Sequence, residues 1–367
     1  MKSKVAKLIL SIDESLTDIR IDKALATLQE IGSRSQATNL LKMGAVRRPD
    51  GKIVKPSHNT KLGETFNIEA PIIENEKLEK YDFKLDIVYE DDQLLVVNKP
   101  SGLVVHPAAG HAQDTLVNAL LNYTDDLSLG YNEKRPGLVH RIDKGTSGLL
   151  VIAKNDDSQR KLALQFQKKT THRLYRAITF GPIPKLTGTL RSYLRRHPDD
   201  RKRMASVAKT QYLRSEGRGK VSQEELDRPP EPSYGFGNKE ILENDNEAAI
   251  CGKLAITHYR VTQTHASGLS LVELRLETGR THQIRVHLSE YGYPIVGDNT
   301  YGSHKRIRSV KSLELREYIS EMKRFALHAM ELGFVHPTTQ EMMIFKAPWP
   351  EDLIPLIERC DFPRSFE

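Results

Sequence analysis

The sequence has 367 residues, enough for two or three domains and for a full hydrophobic core in the largest of them. Its 55 lysine and arginine residues exceed its 48 acidic residues, so the formal net charge is +7, a modest surplus that is compatible with an RNA partner without demonstrating one. Cys251 and Cys360 exclude a disulfide framework and a cysteine metal site, and no apolar run reaches membrane-spanning length. Asp13 ends the first apolar patch too early for a secretory signal, so we expect a cytoplasmic protein without membrane association.

Residues 16–72 are predicted to form a small separate unit. Helical spacing of apolar residues indicates two short helices, the first with Ile21 and Leu25 on its buried face and the second with Leu40 and Leu41. Short strand-like pieces follow, separated by proline and glycine. Residues 73–81 are charged and without periodicity, which is typical of a linker.

Basic residues gather around the second helix of this unit and its exit. Such a cluster suits the grip of a phosphate backbone, although a solvated surface would have the same composition. The stretches IRIDKAL, SRSQATNLLKMGAV and KLGE resemble the small α/β RNA-binding domain first described in ribosomal protein S-four. The resemblance implies RNA contacts from Arg20, Arg34, Arg47 and Arg48.

From residue 82 onward the sequence alternates strand and helix patterns without a regular βαβ rhythm. This mixture predicts an α+β domain over 82–355 with a mixed, mostly antiparallel sheet. One helix is expected to turn Leu116, Leu120 and Tyr123 inward. The other main predictions are two strand runs around the Asp91-Asp92 turn, strands at 148–153, 172–180 and 271–276, and helices at 115–123, 156–168 and 281–291.

A polar segment at about 205–250 interrupts this pattern. It is rich in turn-forming residues and poor in apolar ones, so burial cannot offset the entropy of ordering it. We expect a surface insertion whose two ends lie close together, because both flanks have the character of one sheet region.

Asp143 lies in a glycine-bounded loop between two apolar segments. Loops held by rigid flanking strands often present catalytic groups. An aspartate that only organises the turn would have the same local sequence. The residues alone favour the aspartate that only organises the turn.

A second junction, from Glu277 to His287, is unusually basic where an apolar helix face begins. Arg285 adjoins that face, so it is expected to be partly buried and to need an anionic partner. A structural ion pair or a phosphate contact would each meet this need. His282 and His287 are five residues apart, which suits neither one helix face nor a zinc pair, so no metal site is predicted.

The stretch PGLVHRIDKGTSGLLVIAK resembles the signature of the RluA family of pseudouridine synthases, with Ile142 where the family has leucine. VVNKPSGLVVHP resembles the first block of that family, and the likeness extends over about 82–350 outside the insertion. Together with the N-terminal unit, the layout is most similar to the D type that acts on large-subunit ribosomal RNA.

This resemblance implies roles for individual residues. Asp143 would be the catalytic carboxylate, Arg285 its partner and Tyr175 the ring that stacks on the base. Leu327 would line the uracil pocket, and Arg141 would hold a phosphate or the flipped nucleotide. The complete set of residues implied to contact the substrate is Arg141, His140, Leu327, Lys99 and Arg280.

Pseudouridine formation needs one ionised carboxylate, acting either as a nucleophile or as a base at the sugar, and the sequence does not choose between these roles. We therefore expect an isomerase without cofactor or metal. It is expected to be a monomer whose partner is structured RNA, either ribosomal RNA or a ribosomal precursor. The alternatives are a synthase for transfer RNA and a non-catalytic RNA-binding factor in ribosome assembly. A serine hydrolase and a phosphate-loop nucleotidase are disfavoured, because neither motif occurs at the required spacing.

Overall fold

The computed structural model divides the chain into two compact units, Met1–Lys77 and Leu78–Glu367. No helix in the described part is long and apolar enough to cross a bilayer. The structure describes residues 5–28, 30–31, 34–71, 78–108, 110–128, 135–207, 211–213 and 252–364.

The N-terminal unit combines two helices with a small antiparallel sheet. The apolar faces predicted from helical spacing are buried, and Leu25 and Leu41 pack in one core with Phe66 and Ile68. The strand order in the sheet is β1–β3–β2. The elements are β1 (Val5–Ser11), α1 (Ile21–Leu25), α2 (Arg34–Lys42), β2 (Val46–Arg47) and β3 (Thr65–Pro71), with a short 3₁₀ turn at Glu14–Leu16.

The second unit is built on one large sheet. Its described strands are β4 (Ile87–Glu90), β5 (Leu94–Lys99), β6 (Ser147–Ala153), β7 (His172–Phe180), β8 (Thr187–Arg196), β9 (Met204–Ser206), β10 (Gln211–Leu213), β11 (Lys253–Thr264), β12 (Leu269–Leu276), β13 (Leu327–Val335) and β14 (Met342–Lys346). Its described helices are α3 (Leu116–Tyr123), α4 (Asp156–Lys168), α5 (Gln283–Tyr291), α6 (Ser303–Arg306), α7 (Leu313–Glu321) and α8 (Ile354–Arg359), with 3₁₀ turns at Ile307–Ser309 and Glu351–Leu353.

The strand order is β10–β8–β11–β12–β7–β13–β6–β5–β4, with β14 beside β13 and β9 beside β8. Among the paired strands only β13 and β6 run parallel; every other described pair is antiparallel. The predicted α+β class with a mixed, mostly antiparallel sheet is therefore confirmed.

The parallel contact between β6 and β13 depends on a glycine. Gly148 has a φ of +116°, and a Cβ built on it would lie 2.1 Å from the carbonyl oxygen of Ala329. Any side chain here would force the two strands apart. The close approach brings the loop that precedes β6 next to the start of β13, and this loop carries Asp143.

Tyr123 does not face inward as predicted. Its side chain is 48% exposed, and its hydroxyl donates to Glu90 Oε2 at 2.7 Å. Leu116 and Leu120 are fully buried, so they form the buried face of α3 without Tyr123. The error arises because Tyr123 ends the helix, where the ring leaves the core to reach a carboxylate on β4.

The polar segment at about 205–250 begins with residues that belong to the sheet. Met204–Ser206 and Gln211–Leu213 both pair with β8, so the strands continue beyond residue 205. A Cβ on Gly252 would lie 2.7 Å from Val207 Cγ2, so the flanks of the segment are in contact, as expected. Residues 214–251 lie outside the described part of the chain.

Candidate active site

Asp143, Tyr175, Arg285 and Leu327 line one pocket, which encloses about 500 Å³ including its open mouth. Asp143 comes from the loop before β6, Tyr175 from the middle of β7, Leu327 from the start of β13 and Arg285 from the first turn of α5. Because β7, β13 and β6 are neighbours, the pocket lies over the centre of the sheet. The fold thus gathers four residues that are far apart in the sequence.

Arg285 joins two carboxylates. Its Nη1 donates to Asp143 Oδ2 at 3.3 Å, while Nε and Nη2 donate to the two oxygens of Asp298 at 2.7 and 2.9 Å. Burial opposes the charge of Arg285, but Asp298 and then Asp143 outweigh burial and raise the pKa of Arg285. Arg285 therefore has two anionic partners where one was expected, and Asp298 is only 1% exposed.

Two aromatic rings enclose the guanidinium of Arg285. Its central carbon lies 4.3 Å from the ring centroid of Phe325 and 5.0 Å from that of Tyr301. Phe325 also packs on the loop that carries Asp143, since a Cβ on Gly145 would lie 2.7 Å from the Phe325 ring. The two aromatic faces stabilise the cation and fix the position of the guanidinium relative to the loop that carries Asp143.

Lys99 lies beneath the loop that carries Asp143 and outside the pocket, so the expected substrate contact is not what the structure shows. The side chain is 1% exposed, and burial lowers its pKa to about 7. Its Nζ donates to the carbonyl oxygens of Pro100, Leu103 and Lys144 at 2.7, 2.8 and 3.3 Å. All three N–H groups of the ammonium are therefore bonded to backbone carbonyls, one of which belongs to Lys144, the residue that follows Asp143.

His140 also lies outside the pocket, contrary to the predicted substrate contact. Its Nε2 accepts a hydrogen bond from the backbone N–H of Val151 at 3.1 Å, and its ring stacks on Phe166 with centroids 4.4 Å apart. Burial lowers the pKa of His140 to about 3, so the ring is neutral and can accept this bond. The histidine is thus held between β6 and α4.

Arg141 and Arg280, which are predicted to contact the substrate, are exposed and line the pocket. Arg141 Nη1 lies 3.2 Å from His106 Nε2, and burial lowers the pKa of His106 to about 4. A neutral imidazole therefore accepts from Arg141. Arg280 Nε donates to the carbonyl oxygen of Leu254 at 3.0 Å. Both guanidinium groups are tethered at one side and open to solvent.

Tyr175 and Leu327 supply apolar surface to the pocket. They are 7% and 3% exposed, and burial raises the pKa of Tyr175, so its hydroxyl stays protonated. Ile142, Leu276 and Ile284 add further apolar lining. Walls of this kind suit a flat, uncharged ring, since proteins often hold unpaired bases by stacking them on aromatic side chains.

The sequence did not predict His282 or Asp298 as members of this site. His282 precedes α5 in a left-handed conformation, with φ of +56°. Its Nε2 lies 4.0 Å from Asp143 Oδ2. Within the described residues, no group of histidine, cysteine or acidic side chains could hold a metal ion. The one available signal for His282 was its place between an exposed loop and a buried helix.

Comparison with known proteins adds a consistent set of likenesses. The model of the family described as RNA pseudouridylate synthase matches residues 93–290. Ribosomal large subunit pseudouridine synthase D of Zymomonas mobilis subsp. mobilis is 39% identical over 346 residues, which are 94% of each chain. The protein of the same name in Vibrio parahaemolyticus is 36% identical over 95% of this chain and 93% of its own. An uncharacterized RNA pseudouridine synthase of Bacillus subtilis, YlyB, is 37% identical over 95% and 96%.

Proposed function

The chain belongs to the RNA pseudouridylate synthase family, and on that premise we propose that it isomerises uridine in large-subunit ribosomal RNA with Asp143 as its catalytic carboxylate. The contact between Asp143 and the buried Arg285, in a pocket walled by Tyr175 and Leu327, is the observation that supports this proposal most strongly. A protein that only binds RNA has no need of a buried cation aimed at a carboxylate.

The proposed chemistry uses the charge of Asp143 at the sugar. The bond between N1 and C1′ breaks, the uracil turns, and a bond forms between C5 and C1′. Asp143 acts either as the nucleophile at C1′ or as the base at the sugar, and the hydrogen bond from Arg285 Nη1 orients its carboxylate. Tyr175 stacks on the base, and Leu327 closes the pocket against it. A paired uridine has to leave its stack to enter such a site.

Two roles follow for the remaining predicted residues. Arg141 and Arg280, which are exposed at the pocket, bind the phosphates next to the target nucleotide. Lys99 and His140 act on the structure of the site instead: Lys99 holds the backbone of the catalytic loop, and His140 supports β6. Their loss should therefore lower stability together with activity.

We further propose that residues 16–72 are an RNA-binding domain, joined through 73–81 to a catalytic domain of 82–355. Arg20, Arg34 and Arg48 each contact a carboxylate, yet their side chains remain 52%, 54% and 45% exposed. Exposed arginines of this kind can bind a phosphate in place of the carboxylate, or bind both at once. We also propose that the protein acts in the cytoplasm and as a monomer.

The names of the similar proteins favour ribosomal RNA over transfer RNA. Mapping pseudouridine in both RNA classes from cells that lack the protein tests this choice, with rescue by wild type or by Asp143→Asn. We expect large-subunit ribosomal sites to disappear and to return only with wild type. Loss confined to transfer RNA would overturn the substrate. Growth and assembly defects rescued equally by Asp143→Asn would favour the non-catalytic assembly factor.

A further inference from the structure

His282 points one ring nitrogen into the catalytic pocket. It lines that pocket together with Asp143, and its Nε2 lies 4.0 Å from Asp143 Oδ2, which is beyond hydrogen-bond distance. Among the residues that the structure describes, none forms a hydrogen bond with this nitrogen, whereas Nδ1 is bonded to Tyr301. The residue is also held in the left-handed backbone region, which is uncommon outside glycine and often marks a functional position.

The hydrogen bonds of Tyr301 decide which nitrogen of His282 carries the proton. The Tyr301 hydroxyl oxygen accepts from the backbone N–H of Met204 at 2.8 Å and lies 2.8 Å from His282 Nδ1. Burial raises the pKa of Tyr301 to about 12, so the hydroxyl keeps its proton. Its acceptor in the described part of the chain is Nδ1, which leaves the proton of the neutral ring on Nε2.

The imidazole is neutral near physiological pH. Burial is the largest influence and lowers the pKa of His282; Asp143 opposes it, Arg285 adds to it, and Asp298 and Arg141 act in opposite directions. A neutral ring with its proton on Nε2 is a hydrogen-bond donor without net charge. Arg285, the other strong donor next to Asp143, already gives three of its five N–H groups, one from each nitrogen, to two carboxylates.

We propose that His282 is a second catalytic residue, whose Nε2–H donates a hydrogen bond to the uracil carbonyl O2 as the base detaches. This inference rests on the proposed function, with Asp143 acting at the sugar. The N1–C1′ bond breaks with its electron pair moving into the uracil, and part of that charge develops on O2, the carbonyl beside the broken bond. The proposal holds whether Asp143 is nucleophile or base.

The remaining steps balance without His282. As C5 bonds to C1′, the bond between Asp143 and C1′ breaks if Asp143 is the nucleophile; if Asp143 is the base, it returns to the sugar the proton that it took. The proton on C5 leaves and N1 gains a proton, so no proton is consumed overall. The histidine neither gains nor loses its proton; it stabilises charge that exists only after the bond has weakened. A preorganised donor of this type contributes about 100- to 1,000-fold to turnover in other enzymes.

Two substitutions that impose the same backbone strain at residue 282 test the proposal. His282→Leu removes the donor, and His282→Gln keeps an amide N–H at a similar reach; neither residue favours the left-handed region, so strain acts on both alike. We expect His282→Leu to lower single-turnover pseudouridine formation about 100-fold or more at a temperature where the variant is fully folded and with RNA affinity unchanged, and His282→Gln to retain most of the rate. Equal rates in the two variants, whether high or low, would overturn the donor role.

A second readout separates charge stabilisation from mere support of the pocket. RNA carrying 5-fluorouridine has an electron-withdrawing group that stabilises the detached base by itself. We expect the His282→Leu defect, measured as consumption of the modified nucleotide in a single turnover, to be smaller on this RNA than on uridine RNA. An equal defect on both would contradict the proposal. Asp143→Asn should be inactive on both RNAs; activity there would refute the proposed function independently of His282.

Discussion

At the scale of single residues, the pocket depends on a carboxylate that no sequence pattern revealed. Asp298 is 1% exposed and takes two of the three hydrogen bonds that Arg285 gives to carboxylates. It thereby fixes the guanidinium while leaving Nη1 for Asp143. Without Asp298, Arg285 would have Asp143 as its one carboxylate partner among the described residues and would hold that carboxylate more tightly, away from the proposed reaction at the sugar.

Asp298→Asn should therefore weaken both stability and catalysis. We expect the free energy of unfolding to fall by about 3 kcal/mol, since breaking a buried ion pair leaves one charge uncompensated, and turnover to fall at least about tenfold. Chemical denaturation and single-turnover kinetics measure the two effects.

Asp352→Asn is the matched control for this substitution. Asp352 also binds an arginine, Arg324, but its side chain is 52% exposed, so its loss should cost less than about 1 kcal/mol. Equal losses in the two variants would show that burial of the Arg285 pair has no special importance.

At this scale, motif blocks named residues that line the pocket, but they did not show which residues of a block lie outside it or which others join it through tertiary contacts. Asp143, Tyr175, Arg285 and Leu327 were named from motif blocks, and the structure brings all four to one pocket. Asp298 lies in a turn with no local feature that sets it apart. Lys99 sits in the same kind of block, but whether such a lysine meets substrate or backbone depends on neighbours 45 residues away.

At the scale of elements, strong periodicity predicted bounds well. Helix α4 and strand β7 have the predicted limits of 156–168 and 172–180. Strand β8 was not predicted, because its buried positions are not all apolar: Ser192 occupies one of them, where its hydroxyl contacts His287 Nε2 at 2.9 Å. Helix α5 begins two residues later than expected because His282 is left-handed.

The segment between Val207 and Gly252 is predicted to be dispensable for folding. The two flanks are in contact, so a Gly-Ser turn of about four residues can replace residues 208–251, at the cost of the edge strand β10. We expect the melting temperature to fall by only a few degrees and turnover on a minimal stem-loop to persist, with a lower rate on long ribosomal RNA.

Replacing only residues 214–250 with about twelve Gly-Ser residues is the control, because it retains β10. Loss of cooperative unfolding in both variants would contradict the reading of this segment as an insertion. Loss in the first alone would assign the structural contribution to β10.

At the scale of the whole molecule, buried neutral histidines predict sensitivity to mild acid. Burial lowers the pKa of His140 to about 3 and those of His106, His287 and His328 to about 4. In the unfolded chain these rings have a pKa near 6.5, so between pH 6.5 and 4 the unfolded state binds more protons. Stability is therefore full above pH 6.5 and falls as the pH drops through this window.

Urea denaturation at pH 7 and pH 5 measures this effect. Each histidine contributes up to about 1.4 kcal/mol for every unit between the two pKa values, and only part of that is reached at pH 5. His287→Gln should show a smaller drop than wild type, because one buried ring no longer titrates. A stability that is constant from pH 7 to pH 5 would contradict the prediction.

The N-terminal unit is predicted to add affinity for RNA without adding chemistry. Arg47→Gln with Arg48→Gln tests this in the full chain and spares Asp22, which is 3% exposed and holds Arg20 and Arg34. We expect weaker binding of structured RNA. The affinity should also fall less steeply with salt concentration, by the equivalent of up to about two phosphate contacts. Turnover at saturating RNA should not change.

The matched control for that pair is Arg160→Gln with Lys161→Gln, which removes the same charge from the surface of α4. If both double variants lose affinity equally, the effect belongs to net charge and not to the N-terminal unit. If neither loses affinity, RNA binding by that unit is refuted.

The central claim is that Asp143 performs the isomerisation, and one substitution tests it most directly. Asp143→Asn keeps the size of the side chain and an oxygen for Arg285 but removes the negative charge. The measurement is single-turnover conversion of uridine to pseudouridine in a large-subunit ribosomal RNA fragment that wild type modifies. We predict a loss of at least about 1,000-fold with RNA affinity within twofold of wild type. Turnover near the wild-type rate would contradict the account.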